Sequence, residues 1–335
     1  MLHYNSNFPR LVLTMKKLII QIPCFNEGET LGETLSHLPR AVPGIECVEW
    51  LIINDGSADN TIDVARENGV DHIVSLPHHQ GLSAAFSAGI EACLKAGADI
   101  IVNTDGDNQY DASAIPDLIQ PILDGDAQIV IGERPIMRIN EFSFIKKLLQ
   151  RLGSYVVRMA SDTSVPDATS GFRAMHREAA LRMCVFNPYT YTLETIIQAG
   201  RKNVPIASVK IQSNAATRPS RLITSTSSYI RRSLGTIFRI FVLYKPLRSF
   251  FIVGTILLVP GILIGIRFLT KFLAGDGSGN VQSLILASIL IVTSVIVFVA
   301  GMLADLVAAN RQLLEEVRMR LLRSEVSNRE SNPKD

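Results

Sequence analysis

The chain is poor in the residues that would mark a redox or metal-thiolate protein. Its four cysteines, Cys24, Cys47, Cys93 and Cys184, are widely spaced and form no CxxC pair. That excludes a disulfide scaffold and a cysteine-held zinc centre, and predicts reduced core residues of a cytosolic domain. No GxGxxG follows the first apolar run, which counts against a dinucleotide oxidoreductase. No GxxxxGK[ST] occurs anywhere, which counts against a P-loop NTPase. An excess of one charge is missing too: 33 Lys+Arg against 31 Asp+Glu leave +2, so no global field recruits nucleic acid. What is abundant is apolar surface. At 47% hydrophobic residues the 335-residue chain is richer than a wholly soluble protein, and part of it is expected in a bilayer.

Residues 1–14 show no clear periodicity and are expected to be an N-terminal extension. Met15-Lys16-Lys17 before Leu18-Ile19-Ile20 reads as the start of the fold and a candidate translation start. The apolar run is broken by Gln21 and Pro23 and falls short of the roughly 7 to 15 residues of a signal-peptide core, so it is expected to be a strand. A rhythm follows. Strands are predicted at 17–22, 48–53, 72–75, 100–103 and 127–131, with helices at 29–38, 59–67, 82–96 and near 113–123. Apolar strands without alternation, separated by helices, predict an α/β domain over 15–222 with a mostly parallel sheet covered on both faces.

Ligands of such sheets bind beyond the carboxyl ends of the strands, and the loops there are polar. After the fourth strand comes Asn103-Thr104-Asp105-Gly106-Asp107-Asn108-Gln109-Tyr110. Two carboxylates one residue apart repel each other, and a loop that gathers them fits a hard cation, Mg²⁺ or Mn²⁺, often shared with a nucleotide diphosphate. Gln109 adds a neutral oxygen in the same alternation. Asp, Gly and Asn also make ordinary turns. What favours a site is that Pro23–Glu27 and Asn54–Asp59 are expected on the same edge.

Taken together, IPCFNE, NDGSADNT, QGLSAAFSAG, TDGDNQY and TSGFRAM resemble, in order and spacing, the family-2 glycosyltransferases of GT-A fold. Within them they are similar to the polyprenyl-phosphate branch that includes dolichol-phosphate mannose synthase. The resemblance covers about residues 16–222. It implies that Pro23, Phe25, Glu27 and Asp55 surround the nucleotide, with Asp55 accepting from a base N–H. It implies that Asp105, Asp107 and Gln109 hold the metal and diphosphate, and that Arg134, Arg218 and Arg221, with Lys147 as a fourth, face the acceptor phosphate. Asp105, Asp107 and Arg134 would then be the catalytic residues. Asn54 departs from the family, which usually has a second Asp there, and little consequence is expected. For Arg173 the residues suggest a strand position and an ion pair with Asp167.

The implied activity is metal-dependent, inverting transfer of a sugar from a UDP- or GDP-sugar to a membrane polyprenyl phosphate. Two alternatives stay open. One is another lipid or a polysaccharide acceptor, whose hydroxyl would need a general base, with Asp167 the candidate. The other is a non-catalytic, membrane-anchored sugar-nucleotide sensor.

Toward the C-terminus, 250–266 and 281–304 are uncharged and near the roughly 20 residues that cross a hydrocarbon core. With the glycine-rich turn at 271–280 they predict a transmembrane hairpin within 249–305, kinked at Pro260-Gly261. Arginine and lysine are denser on the outer flanks than at the turn, which predicts that the catalytic domain and both termini are cytosolic. Ile230, Leu234, Ile237, Phe238 and Phe241 share one helical face beside Arg231, Arg232 and Arg239, so 223–248 is expected to lie in the membrane interface. Residues 306–335 are read as a cytosolic helix and tail. Leu313, Leu314, Val317 and Leu321 form a side suited to self-association into a homo-oligomer, and the tail from Ser324 is expected to be disordered.

Overall fold

The computed structural model describes residues 17–135, 158, 161, 163–185, 191–212, 214, 235, 242, 244–275 and 281–331. By internal contacts the chain divides into two units, one built on the sheet and one on the long C-terminal helices. Most of the expected interfacial helix at 223–248 lies outside the described residues, as do Lys147, Arg218 and Arg221.

The sheet unit has seven strands: β1 Lys17–Cys24, β2 Cys47–Asn54, β3 His72–Ser75, β4 Ile100–Asn103, β5 Ile129–Glu133, β6 Arg173–His176 and β7 Ile206–Lys210. Their spatial order is β3-β2-β1-β4-β6-β5-β7. The β1–β2, β1–β4, β2–β3 and β5–β7 pairs are parallel. β6 alone runs antiparallel to both of its neighbours, β4 and β5. The expected mostly parallel α/β sheet is therefore present, with β5 starting two residues later than predicted.

Helices α1 Leu31–His37, α2 Thr61–Glu67, α3 Leu82–Lys95 and α4 Ile115–Leu123 follow the predicted spans closely, and α5 Arg177–Arg182 and α6 Tyr191–Arg201 come after β6. β1 is buried on both faces, with Ile19 and Ile20 both inaccessible, because helices cover each side. Gly89 lets α3 approach closely: a Cβ there would lie 2.4 Å from Gln21 Oε1 and 2.6 Å from Ile53 Cδ1. Three of the four cysteines are buried and unbonded as expected, whereas Cys47 opens β2 and is exposed.

In the second unit, α7 Pro246–Leu273 and α8 Val281–Ser331 are each long and apolar enough to cross a membrane. They pack through small residues. A Cβ on Gly254 would lie 2.5 Å from Phe298, and one on Gly301 would lie 2.6 Å from Phe250. Ser294 Oγ donates to the Gly254 carbonyl at 2.8 Å, and Phe251 meets Phe298 with ring centroids 4.8 Å apart. Outward, Ile256, Leu263 and Ile296 are more than 60% exposed, unlike the side chains of a buried core helix pair. α7 runs as one helix through Pro260.

The expectation of a disordered tail from Ser324 is corrected, because α8 continues to Ser331. Its last turns, from Leu321, belong to the sheet unit. There Leu322 and Val326 are buried, Glu325 pairs with Lys95 at 2.9 Å, and Arg323 pairs with Glu178. A polar stretch read locally has no reason to order, and these long-range partners supply it.

Candidate active site

Three strand ends and one reversed strand converge on a single edge. The parallel ladder runs one residue past the strands, with Asp55 N–H donating to the Cys24 carbonyl at 2.9 Å and Thr104 N–H to that of Gln21 at 3.1 Å. The loops at 25, 55 and 105 therefore leave the sheet side by side. Because β6 is antiparallel, the loop before it, 167–171, reaches the same edge as the loops that follow β4 and β5. Beneath them lies a buried polar layer. Gln21 Nε2 donates to Asn103 Oδ1 at 2.8 Å, and Asn103 Nδ2 donates to the Gly171 carbonyl at 2.9 Å and to the Tyr191 hydroxyl at 3.2 Å. Tyr110 hydroxyl accepts from Gly171 N–H at 3.0 Å. These bonds fix the floor under the carboxylates.

Asp105 is partly exposed as a residue, but its carboxyl is deeply enclosed. Burial first, then the neighbouring charge of Asp107, push it up to about 7, while Arg134 and Arg173 pull the other way. The Asp107 carboxylate accepts from Gln109 Nε2 at 2.6 Å and from Gln109 N–H at 3.3 Å. Asn108 between them has φ +56°, a left-handed conformation that Asn tolerates. The Gly106 carbonyl is held by the hydroxyls of Thr30 and Thr34, each at 3.0 Å, and Asn108 Nδ2 donates to Glu33 Oε1 at 3.1 Å. Among the described residues no group of three or more His, Cys, Asp or Glu could hold a metal by itself. Two repelling carboxylates and an amide oxygen nevertheless suit an ion of the Mg²⁺ kind, which takes one or two carboxylates and completes its shell with water and substrate phosphate.

At the other end of the edge, Asp55 is 2% exposed. Its Oδ1 accepts from Gln80 N–H at 2.7 Å, and its Oδ2 accepts from Gly81 N–H at 2.8 Å and lies 2.9 Å from His79 Nδ1. The carboxylate thus shapes the turn into α3, and most of its accepting capacity is already used. Asn54 Oδ1 caps the Ser57 N–H at 2.9 Å, a role in which an amide serves as well as a carboxylate. Phe25 stacks on His79 with centroids 3.9 Å apart and is 36% exposed. His79 was not foreseen; the only sequence signal for it is its place two residues before the Gly81 that opens α3. Pro23 is buried next to the end of β1, and Glu27 accepts from the Thr30 hydroxyl at 3.0 Å while its N–H donates to Thr61 Oγ1 at the same distance.

On the third side, Arg134 grips Asp167. Nε donates to Oδ2 at 2.8 Å, and Nη2 donates to Oδ1 at 3.1 Å and to Thr169 Oγ1 at 2.9 Å. This leaves the two N–H groups of Nη1 without a partner among the described residues. Burial would lower the guanidinium's pKa, but Tyr110, Asp167 and Asp105 outweigh it and hold the pKa above its ordinary value, so the group stays charged. Asp167 is 1% exposed and also accepts from Thr169 N–H and Oγ1, so its oxygens are occupied by Arg134 and Thr169.

The expected Arg173–Asp167 pair does not form. Arg173 is fully buried in β6, donates to the Thr192 and Ser170 carbonyls and to Thr195 Oγ1, and lies 5.3 Å from the centroid of the Tyr191 ring. Burial lowers its pKa. Adjacent Gly171 is tightly enclosed, since a Cβ would lie 3.0 Å from Tyr191 hydroxyl and 3.2 Å from Asp105 Oδ1, and one of them would have to shift.

The profile of the family described as Glycosyl transferase family 2 matches residues 19–183. The undecaprenyl-phosphate mannosyltransferase of Micrococcus luteus is 30% identical over 172 residues, which cover 50% of this chain and 68% of that protein. The chain belongs to glycosyl transferase family 2. Another relative, the dolichol-phosphate mannosyltransferase of Pyrococcus furiosus, is 30% identical over 169 residues; the match spans 48% of this chain and about half, 47%, of that one. Among solved structures, the glucosyl-3-phosphoglycerate synthase of Mycobacterium tuberculosis, in complex with Mn²⁺, UDP-glucose and glycerol 3-phosphate, superposes with a TM-score of 0.53 at 20% identity. That likeness covers 68% of this chain and 79% of the synthase, and shows the shared GT-A fold.

The family-2 match takes in the loops at 23–27, 54–59 and 105–109, Arg134, and the 167–173 turn. It ends before Asn214, the first described residue beyond Gln212. Asn214 nonetheless touches the carboxylate loop: its N–H donates to the Gln109 carbonyl at 3.0 Å and its Nδ2 to the Asn108 carbonyl at 2.9 Å.

Proposed function

We propose that this family-2 glycosyltransferase moves a sugar from a UDP- or GDP-sugar onto a membrane polyprenyl phosphate, with inversion at the anomeric carbon. The observation that carries this reading is the enclosed Asp105 beside Asp107 on one edge with Arg134, whose Nη1 faces no protein partner among the described residues, in a chain with two membrane-length helices. The polyprenyl-phosphate transferases among its relatives support the same acceptor class.

In this reading Asp105, Asp107 and Gln109 hold Mg²⁺ or Mn²⁺, which when bound neutralises the departing nucleotide diphosphate. Phe25 and His79 offer a stacking surface for the base, and Asp55 holds the 79–81 turn that presents it. Glu27 and Pro23 line the same end. Arg134, fixed by Asp167 and Thr169, turns its remaining N–H pair to the acceptor phosphate, with Arg218, Arg221 and Lys147 as further cations. A phosphomonoester has its second ionisation near pKa ~6, so the attacking oxygen is already anionic at neutral pH and needs no base. The engagement of Asp167 with Arg134 and Thr169 therefore favours a phosphate acceptor over a hydroxyl acceptor. The sheet unit and both termini are placed on the cytosolic side, where basic flanks of a hairpin stay.

The test is incubation of the purified protein with polyprenyl phosphate, Mn²⁺ or Mg²⁺, and a panel of UDP- and GDP-sugars, followed by analysis of the anomeric product. Formation of an inverted sugar-phosphate lipid supports the reading. Turnover on a ceramide or diacylglycerol, with none on the lipid phosphate, overturns it. Charge reversal at Arg218 is expected to raise the lipid KM with nucleotide affinity kept, and Asp55→Ala to do the opposite, as read by calorimetry beside kinetics.

A further inference from the structure

The carboxylate loop is held from two sides. On one side, α1 and the residue before it supply Thr30, Glu33 and Thr34, bonded to Gly106 and Asn108. On the other side, among the described residues, stands Asn214. Its main-chain N–H donates to the Gln109 carbonyl at 3.0 Å, and its Nδ2 donates to the Asn108 carbonyl at 2.9 Å, with a longer approach of 3.4 Å to that of Tyr110. Three successive carbonyls of the stretch that carries Asp107 and Gln109 thus turn toward one side chain and its own backbone. The left-handed Asn108 sits at the centre of this arrangement, so its conformation depends on partners outside the loop. Asn214 is also where the chain has left the sheet, four residues past the end of β7.

We infer that Asn214 is a positioning residue that fixes the cation loop from outside it, and so sets the metal and donor diphosphate where the acceptor phosphate attacks. The inference rests on the transferase reading above for its two substrates, but the tether itself can be tested without turnover. Asn214→Ala keeps the backbone N–H and deletes the amide. Asn214→Gln keeps an amide donor on a longer arm. Asn214→Asp keeps the shape but sets a carboxylate against carbonyl oxygens.

The experiment measures Mn²⁺ affinity by electron paramagnetic resonance in the presence of UDP or GDP, steady-state kinetics against lipid phosphate and sugar nucleotide, and thermal unfolding, all on the full-length protein. For Asn214→Ala, Mn²⁺ binding is expected to weaken several-fold and kcat to fall by about tenfold or more, since misplacement on the ångström scale is expensive. The sugar-nucleotide KM should stay within about twofold and unfolding should be unchanged, the signature of an interaction that matters in the transition state. Asn214→Gln should recover part of the loss, and Asn214→Asp should be worse than Asn214→Ala. Wild-type Mn²⁺ affinity and kinetics in Asn214→Ala would overturn the inference. So would an equal loss in Ala and Gln variants accompanied by a lower unfolding temperature, which would make the residue merely structural. If the wild type failed to use polyprenyl phosphate, the acceptor reading would fall, while the order of Mn²⁺ affinities among the three variants would still decide the tether.

Discussion

Burial, and then the charge of Asp107, push the Asp105 carboxyl up to about 7 from the usual carboxylate range, so the folded protein retains a proton there that the unfolded chain releases. Stability therefore falls as pH rises through the window from about 4 to 7, and the whole penalty, a few kcal/mol at about 1.4 per pKa unit, is present above it. Asp105→Asn should raise the unfolding temperature at pH 8 in EDTA, show no such gain at pH 4, and abolish transfer; scanning fluorimetry at the two pH values checks it. An Asn variant less stable than wild type at pH 8 would contradict the assignment. Asp107→Asn should leave a folded protein whose transfer rate is lower by orders of magnitude, and wild-type activity undiminished by EDTA would rule out the metal. Gly171→Ala tests the floor. Its Cβ would press on both Tyr191 and Asp105, so transfer should fall about tenfold or more with circular dichroism unchanged. Asp105 and Asp107 could be read from the sequence because their chemistry is local, two charges one residue apart. His79 and Asn214 could not, since each acquires its meaning from a partner 24 or more positions away.

At the scale of elements, what the sequence disclosed was whatever a continuous apolar run can specify. β1, β2 and β4 are buried on both faces, and their strands stood out for that reason. β6 is four residues with a buried arginine at its head, and nothing in Arg173-Ala174-Met175-His176 reveals that it runs backwards. That reversal decides which arginine meets Asp167. Arg173, six positions away in sequence, turns to α6, and Arg134, 33 positions away, takes the carboxylate. The helical pair was legible from length, but its contact was not, since Gly254 and Gly301 look like any other glycines of an apolar helix until Phe298 and Phe250 are set against them. Replacing Gly254 with Leu should therefore part the helices. Cysteines placed at Gly265 and Ala287, whose Cβ atoms would lie 4.0 Å apart, should cross-link under mild oxidation in the parent and much less with Gly254→Leu, Phe298 being kept; equal yields would deny the contact.

For the whole molecule, the basic flanks of the two long helices predict that tags before Met15 and after Asp335 are both shielded from protease in intact cells, while one inserted near Gly277 is cut. Cleavage of the C-terminal tag would leave a single span. The sheet itself carries a consequence for biosynthesis. β4 and β5 are consecutive in the chain yet never touch, because β6, made some 40 residues after β5 ends, lies between them. Until Arg173–His176 has left the ribosome, the growing chain holds two open strand edges that must not find each other or a neighbour. Stalled nascent chains ending near residue 160 should thus be protease-sensitive over β4 and β5, and those released after residue 212 resistant. The two long apolar helices, Pro246–Leu273 and Val281–Ser331, are synthesised only after that last interior strand, so the open edges close before the most apolar part of the chain emerges.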